Sequence, residues 1–240
     1  MTKQSIVILH GWGSNPERWI AVHDQLTLLS KELGSELHIP LMPGFDGEIP
    51  RKAMNIDDYV VWLNDYIEAH KLQNVVLVGH SNGGRIAIRY VATHKNVEKL
   101  ILVAAAGLPN SHLSLKKTVF KFVAKIGKVV LQPLNKTSLY KLAEKFLYKM
   151  ARESDYYKAS PIMKDTMINL LSYDATNDVK KITCPSLCVW GKDDTATPLW
   201  MGEKIAAAIP RCTIKVVDGG HSIHMTHPKI VAGYIKDFLQ

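Results

Sequence analysis

One serine occupies a position typical of a catalytic nucleophile. Ser81 lies in the stretch VVLVGHSNGGRIAI, between an apolar run of strand length and a helical pattern. Gly79 and Gly83 stand two residues to either side, and glycines there let a strand and a helix approach closely around a tight turn. Such a turn lifts the serine hydroxyl above a sheet, which predicts a nucleophile for covalent catalysis. The rival interpretation is that Ser81 merely caps the helix.

Candidates for a base and an acid follow two later apolar runs. A serine hydroxyl is a weak nucleophile at neutral pH, so it requires a base and a carboxylate that orients the base. The stretch GGHSIHMTHP offers His221, with His224 and His227 as competitors, and the two preceding glycines favour His221. The stretch GKDDTATP offers Asp193 and Asp194. The residue pattern by itself leaves the choice between these carboxylates open.

Two backbone amides are candidates for an oxyanion hole, the donor pair that stabilises a tetrahedral intermediate. The stretch HGWG follows the first apolar run, and its glycines let the loop aim the Trp12 N–H inward. The Asn82 N–H lies at a helix N-terminus and faces the same point. G-W-G lacks the further glycine of a dinucleotide fingerprint and the lysine of a phosphate loop, so nucleotide binding is disfavoured.

The elements that must position these residues alternate between strand and helix. Buried strands are predicted from apolar runs rich in β-branched residues, and amphipathic patterns between most of them predict helices. This alternation predicts a parallel α/β sheet of six strands with helices on both faces. The predicted strands, all buried on both faces, span residues 5–10, 36–41, 74–79, 99–106, 186–191 and 213–219.

One interval interrupts the alternation. Residues 108–182 contain no convincing strand, and the pattern over 115–130 predicts a basic amphipathic helix, followed by helices over 138–150 and 161–171. We interpret this interval as an all-helical cap inserted into the sheet, and we call it the cap segment. The remaining chain, residues 1–107 and 183–240, then forms the α/β core.

The net charge of +8 is concentrated in the cap segment. Residues 108–175 hold 12 of the 30 Lys and Arg residues but only 5 of the 22 Asp and Glu residues. Because no nucleic-acid-reading motif accompanies this charge, we expect no nucleic-acid partner. A solvated lid face is the simplest explanation, and the alternatives are contact with an anionic membrane surface or steering of acidic substrates.

The sequence supports only broad expectations about cofactors, cellular compartment and oligomeric state. Cys184, Cys188 and Cys212 lack metal-ligand spacing, so we expect buried free thiols, and the chemistry above requires no metal or cofactor. No run approaches the roughly 18 apolar residues of a membrane span, and no secretory leader is recognisable, so we expect a cytoplasmic protein. We expect a monomer or a dimer.

Together, HGWGSNPERW, PGFDG, VGHSNGGRIA, VWGKDDTATP and GGHSIHMTHP resemble the α/β-hydrolase superfamily, in particular its compact capped members, which include carboxylesterases and C–C bond hydrolases. The resemblance covers both ends of the chain and leaves the cap segment unmatched. It implies an α/β-hydrolase fold, Ser81 as nucleophile, His221 as base, Asp194 as acid, and the Trp12 and Asn82 amides as oxyanion hole. The chain order Ser…Asp…His agrees with that superfamily.

Three functional hypotheses follow from these residues. The first is a serine hydrolase that cleaves carboxylic esters of small to medium acyl groups through an acyl-enzyme. The second keeps the same residues but cleaves a C–C bond, a thioester or a lactone, because fold and catalytic residues alone do not separate these reactions. The third is a ligand-binding or interaction protein with vestigial chemistry. The sequence assigns no role to His80 and Arg85.

Overall fold

The sheet contains six parallel strands in the order β2-β1-β3-β4-β5-β6. The computed structural model describes residues 4–14, 16–19, 22, 24, 25, 27, 34–109 and 159–240. The predicted six-stranded parallel sheet is confirmed within these residues. Its strands are β1 (Ser5–Leu9), β2 (Glu36–His38), β3 (Val75–His80), β4 (Val97–Val103), β5 (Ser186–Gly191) and β6 (Cys212–Val217).

Helices cover the sheet and connect its strands. Between β1 and β2, the described residues include a 3-10 turn at Pro16–Trp19 and scattered helical positions after it. None of the described helices is long and apolar enough to cross a membrane. The helices are α1 (Ile56–Ala69), α2 (Asn82–Thr93), α3 (Pro161–Ser172), α4 (Leu199–Ala208), α5 (Ile223–Thr226) and α6 (Pro228–Leu239).

The central strands are buried on both faces, and their side chains alternate between two hydrophobic clusters. On β3, Val75 and Leu77 belong to the cluster beneath α1 and α2, whereas Val76 and Val78 belong to the cluster beneath α6. This period of two follows from the pleat of a strand. The prediction that all six strands are buried on both faces is wrong for β2 and β6, which are partly exposed because they lie at the two edges of the sheet.

Four strands end earlier than predicted, β1 and β6 by one or two residues and β2 and β4 by three. Strand β2 ends at His38, and β4 ends at Val103 because Ala104 adopts a positive φ of 45°, outside the β region. The chain then turns back toward β3, and the Ala106 N–H donates to the Ser81 carbonyl at 2.8 Å. The early end of β4 therefore ties this strand to the turn that carries Ser81.

Helix α3, the part of the cap segment that the structure describes as a helix, packs against the core. Ser160 caps its N-terminus and Pro161 occupies its first turn, both common helix-start signals. The Arg85 guanidinium donates to the Leu170 carbonyl near its C-terminus. The third predicted cap helix is thus present, whereas the predicted helices over 115–130 and 138–150 lie outside the described residues.

The tight crossing of α2 over β1 leads to a first prediction. A Cβ atom added at Gly83 would meet the Leu9 carbonyl and lie 2.6 Å from the His10 oxygen, both rigid backbone atoms. We expect Gly83→Ala to lower the free energy of unfolding by about 1–3 kcal/mol. Gly233→Ala is the matched control, because nothing lies within 4 Å of the added atom and alanine favours a helix interior. Equal stability of the two variants in urea unfolding would contradict this prediction.

Candidate active site

Ser81 lies on a strained turn between β3 and α2. Its backbone has φ 50° and ψ −115°, an uncommon conformation for a residue with a side chain. A Cβ atom at Gly79 would lie 2.5 Å from the Gly84 Cα, so the strand and helix approach too closely for any other residue. The Ser81 N–H donates to the Val103 carbonyl at 3.2 Å. These contacts hold the side chain above the carboxyl end of the sheet.

A continuous hydrogen-bonded chain joins Ser81, His221 and Asp194. The His221 Nε2 lies 3.0 Å from the Ser81 Oγ, and the His221 Nδ1 lies 2.8 Å from the Asp194 Oδ2. Ser81 is separated in sequence by 140 residues from His221, which occupies the loop after β6. The parallel sheet brings them together, because the carboxyl ends of β3, β5 and β6 lie at one edge.

The other candidates for the acid and the base, Asp193, His224 and His227, have different partners. Asp193 is exposed, and its backbone N–H donates to the Gly219 carbonyl. His224 is buried and stacks on Trp19 with ring centroids 4.6 Å apart. The His227 Nδ1 lies 2.9 Å from the Thr226 hydroxyl. Of the two carboxylates and three histidines that the sequence offered, the structure therefore joins Asp194 and His221 to Ser81.

Asp194 is a buried carboxylate with four hydrogen bonds. Its Oδ1 accepts from the Ala196 and Thr197 backbone N–H groups at 2.8 and 2.9 Å, and its Oδ2 accepts from His221 and the Thr197 hydroxyl. Burial raises the pKa of Asp194, but these donors outweigh burial and leave its pKa below the ordinary value. The ionised Asp194 accepts a hydrogen bond from the His221 Nδ1–H, which leaves the Nε2 lone pair facing the Ser81 hydroxyl.

Sequence reasoning missed Thr197. Its hydroxyl lies 2.8 Å from the Asp194 Oδ2, 3.0 Å from the Ala104 carbonyl and 3.2 Å from the His221 Nδ1. Thr197 thus connects the loop after β5 to the end of β4 and contacts both Asp194 and His221. A local signal was available for the turn itself, because an aspartate side chain commonly accepts backbone N–H bonds from residues a few positions later.

The loop after β1 lies beside Ser81. Strands β1 and β3 pair with Leu9 opposite Gly79, and a Cβ atom at Gly11 would lie 3.3 Å from the Ser81 Cβ. Among the described residues, neither the Trp12 nor the Asn82 backbone N–H has a hydrogen-bond acceptor.

His10 holds this loop in place. It is buried, its Nδ1 lies 2.8 Å from the Gly11 carbonyl, and its Nε2 accepts the Met42 N–H at 3.2 Å. Burial lowers the pKa of His10, and a neutral ring with its proton on Nδ1 satisfies both bonds. His10 thereby fastens the β1 loop to the turn that follows β2.

A largely apolar cavity of about 300 Å³ adjoins this loop. Trp12 contributes to its wall and contacts Phe45 edge to face, with ring centroids 5.0 Å apart. Its lining residues come from the β1 loop, the turn near Gly44 and the start of α3, and they are Trp12, Gly13, Gly44, Phe45, Ile49, Ala159, Ser160 and Met163. The cavity therefore lies between the core and the described end of the cap segment.

The described residues contain neither a cluster that could hold a metal ion nor a disulfide bond. Within the described ranges, no group of three or more His, Cys, Asp or Glu side chains could hold a metal ion. The three cysteines are free thiols. Cys188 is buried as expected, whereas Cys184 and Cys212 are partly exposed, contrary to the expectation of three buried thiols.

The fold and site define a class of protein: a parallel α/β hydrolase architecture with a serine at a strand–turn–helix junction. A sequence profile of the alpha/beta hydrolase family matches residues 6–233, and the chain belongs to this family of hydrolases. That match spans the cap segment as well, whereas the motifs of the sequence resembled the family only at the two ends of the chain. The chain is 26% identical over 263 residues to human monoacylglycerol lipase ABHD6, covering 99% of this chain and 75% of that protein.

Solved structures agree with this assignment. A bromoperoxidase from Bacillus anthracis matches with a TM-score of 0.75 and 23% identity, over 99% of this chain and 92% of the other. An enol-lactonase from Burkholderia xenovorans matches with a TM-score of 0.74 and 18% identity, over 100% of this chain and 92% of the other. At these identities the structural matches establish the fold alone.

The position of Thr197 leads to a second prediction. Thr197→Val keeps the shape of the side chain but removes the hydroxyl, leaving Ala104 or Asp194 without a buried donor. We expect a loss of about 1–2 kcal/mol in the free energy of unfolding. Thr213→Val, on an exposed position of β6, is the matched control and should change stability by less than about 0.5 kcal/mol. A Thr197→Val protein as stable as this control would show that the hydroxyl contributes nothing.

Proposed function

We propose that this protein is a serine hydrolase that cleaves carboxylic esters of small to medium acyl groups through an acyl-enzyme. The observation that carries the proposal is the chain of hydrogen bonds from Ser81 through His221 to Asp194, with distances of 3.0 and 2.8 Å. In this proposal Ser81 is the nucleophile, His221 the general base, and Asp194 the acid that orients it.

Acylation begins when the Ser81 Oγ attacks the ester carbonyl carbon. His221 Nε2 accepts the hydroxyl proton as the new C–O bond forms, and the ionised Asp194 stabilises the resulting imidazolium. The carbonyl oxygen becomes an oxyanion, which accepts hydrogen bonds from the Trp12 and Asn82 amides. His221 then gives its proton to the leaving alkoxide, the ester C–O bond breaks, and an alcohol departs.

Deacylation repeats these steps with water. His221 removes a proton from a water molecule, whose oxygen attacks the acyl carbon, and the same two amides stabilise the second oxyanion. Collapse of this intermediate releases the carboxylic acid and returns the proton to Ser81. The residues thus supply a base, an acid and two oxyanion donors, and the reaction is complete without further groups.

The cavity beside Trp12 supports the choice of acyl group. Its volume of about 300 Å³ stands at the lower end of small-ligand pockets, and its wall is mostly apolar. Because Trp12 contributes both to this wall and to the oxyanion hole, we place the acyl chain of the ester in this cavity. A relative of this chain is named a monoacylglycerol lipase, a name that is consistent with a single acyl chain.

The cap segment belongs to the same proposal. We propose that residues 108–182 form a cap on a core of residues 1–107 and 183–240, with α3 as the wall of the acyl cavity. Within the described residues, Ala159, Ser160 and Met163 are the cap contributions to that wall. Substrate choice would then be decided where this segment meets the β1 loop.

The assignment of Ser81 leads to a third prediction. Without its hydroxyl no acyl-enzyme forms, so Ser81→Ala should lose at least about 1000-fold in the hydrolysis of p-nitrophenyl acetate and butyrate. Release of p-nitrophenolate, followed by absorbance, measures both rates. The control is Ser172→Ala, at an exposed serine at the end of α3, which should retain full activity. Undiminished turnover by Ser81→Ala would refute the proposed mechanism.

The placement of the acyl chain leads to a fourth prediction. Met163 is 5% exposed and lines the cavity, so Met163→Trp should shorten the space for longer acyl chains. We expect the ratio of kcat/KM for butyrate over acetate to fall by about tenfold or more. Ile168→Trp, on the same helix but 52% exposed, is the control and should preserve the ratio. An unchanged ratio in Met163→Trp would place the acyl chain elsewhere.

A further inference from the structure

His80, the residue that precedes Ser81, occupies a position on β3 where the alternation of side chains predicts an apolar residue. It ends β3, in period with Val76 and Val78, whose side chains lie in the cluster beneath α6. The imidazole is 5% exposed and packs between Trp19, 6.0 Å away, and His224, 4.1 Å away between ring centroids. Burying a polar ring is costly unless it forms hydrogen bonds, so its bonding partners indicate its role.

Within the described part of the chain, the ring makes one hydrogen bond, and its partner is the backbone of His221. The His80 Nε2 lies 3.2 Å from the His221 carbonyl oxygen. Burial, together with His224 and His221, holds the pKa of His80 well below its ordinary value, so the ring is neutral and carries one proton. A carbonyl oxygen only accepts, so this proton resides on Nε2 and the buried Nδ1 has a lone pair rather than an unsatisfied N–H.

The His221 backbone depends on this contact. His221 lies in the loop between β6 and α5, directly after Gly219 and Gly220. Among the described residues, the hydrogen bond from His80 is the only one that the His221 carbonyl accepts. The two ring nitrogens of His221 contact Asp194 and Ser81, and the next carbonyl, of Ser222, accepts from Met225 and Thr226, so the contribution of His80 is to the His221 carbonyl itself.

We propose that His80 is a positioning residue that holds the backbone of His221 at a set distance from Ser81. His80 and Ser81 are consecutive residues, so one rigid strand end carries both the nucleophile and the anchor of its base. The two ring centroids, of His80 and His221, lie 5.0 Å apart, and the His80 ring also packs against Gly11 in the oxyanion loop. The inference rests on the proposed roles of Ser81 and His221.

The test compares two substitutions of similar shape. His80→Gln keeps an N–H donor near the position of Nε2, whereas His80→Met fills the space without a donor. The readout is the rate at which a fluorophosphonate labels Ser81, because labelling requires His221 to accept the hydroxyl proton as fluoride leaves but needs no particular ester. We expect His80→Met to label about tenfold more slowly than the unsubstituted protein and His80→Gln to stay within about threefold of it.

A matched control separates positioning from general loss of stability. Tyr90→Phe removes a buried hydroxyl that hydrogen-bonds to Asn64 and Asn96, and it should lower Tm without slowing labelling. Equal labelling rates for His80→Met and His80→Gln would overturn the proposal, as would slow labelling of Tyr90→Phe. If the unsubstituted protein does not label at all, the proposed function fails as well, and with it the role of His80.

A measurement on the unsubstituted protein applies even where the variants do not fold. ¹⁵N NMR distinguishes the two neutral tautomers of a histidine ring by the chemical shifts of its nitrogens. We expect His80 to carry its proton on Nε2 at neutral pH. A proton on Nδ1 instead would leave nothing to donate to the His221 carbonyl and would overturn the proposal.

Discussion

The backbone of Ser81, with a φ of 50°, is the constraint on which the rest of the site depends. A side-chain-bearing residue in such a conformation costs about 1–3 kcal/mol, so its surroundings must enforce it. Three backbone hydrogen bonds do so, since Ser81 donates to Val103 and its carbonyl accepts from Arg85 and Ala106. The early end of β4, where Ala104 leaves the strand region, follows from the same requirement, because Ala106 must reach back to Ser81.

The parallel sheet brings the other residues of the site to the strained turn at Ser81. Parallel strands place all their carboxyl ends at one edge, and the chain leaves that edge through the loops that carry Trp12, Asp194 and His221. The order β2-β1-β3 means that successive connections leave β1 and β3 in opposite directions, which opens a crevice between them. The β1 loop and the Ser81 turn border this crevice, which is where the proposed mechanism places the nucleophile and the two oxyanion donors.

Burial raises the pKa of Asp194 and lowers the pKa of His10 and of His80. Only Asp194 has enough hydrogen-bond donors to outweigh the effect of burial. Asp194 receives four donors and stays ionised despite its burial. His10 and His80 are buried with few partners and stay neutral, each with its single proton directed at a backbone carbonyl. In the proposed mechanism, a proton moves from Ser81 to His221, and the buried anion of Asp194 favours this step because the resulting positive charge lies beside it.

The sequence by itself determined the six strands, the turn at Ser81 and the loops that end the strands, because apolar runs and flanking glycines are local requirements of buried strands and tight turns. The residue pattern left Asp193 and Asp194 equivalent, since two adjacent carboxylates differ only in the direction that the folded loop gives them, and the choice of Asp194 came from the resemblance to α/β hydrolases. The sequence assigned no role to His80, Thr197 or Arg85, because each of them contacts a distant backbone carbonyl. The separations in sequence are 141 residues for His80, 93 for Thr197 and 85 for Arg85. Only the tertiary structure decides such contacts, since local pattern carries no information about which distant backbone carbonyl will face a given side chain.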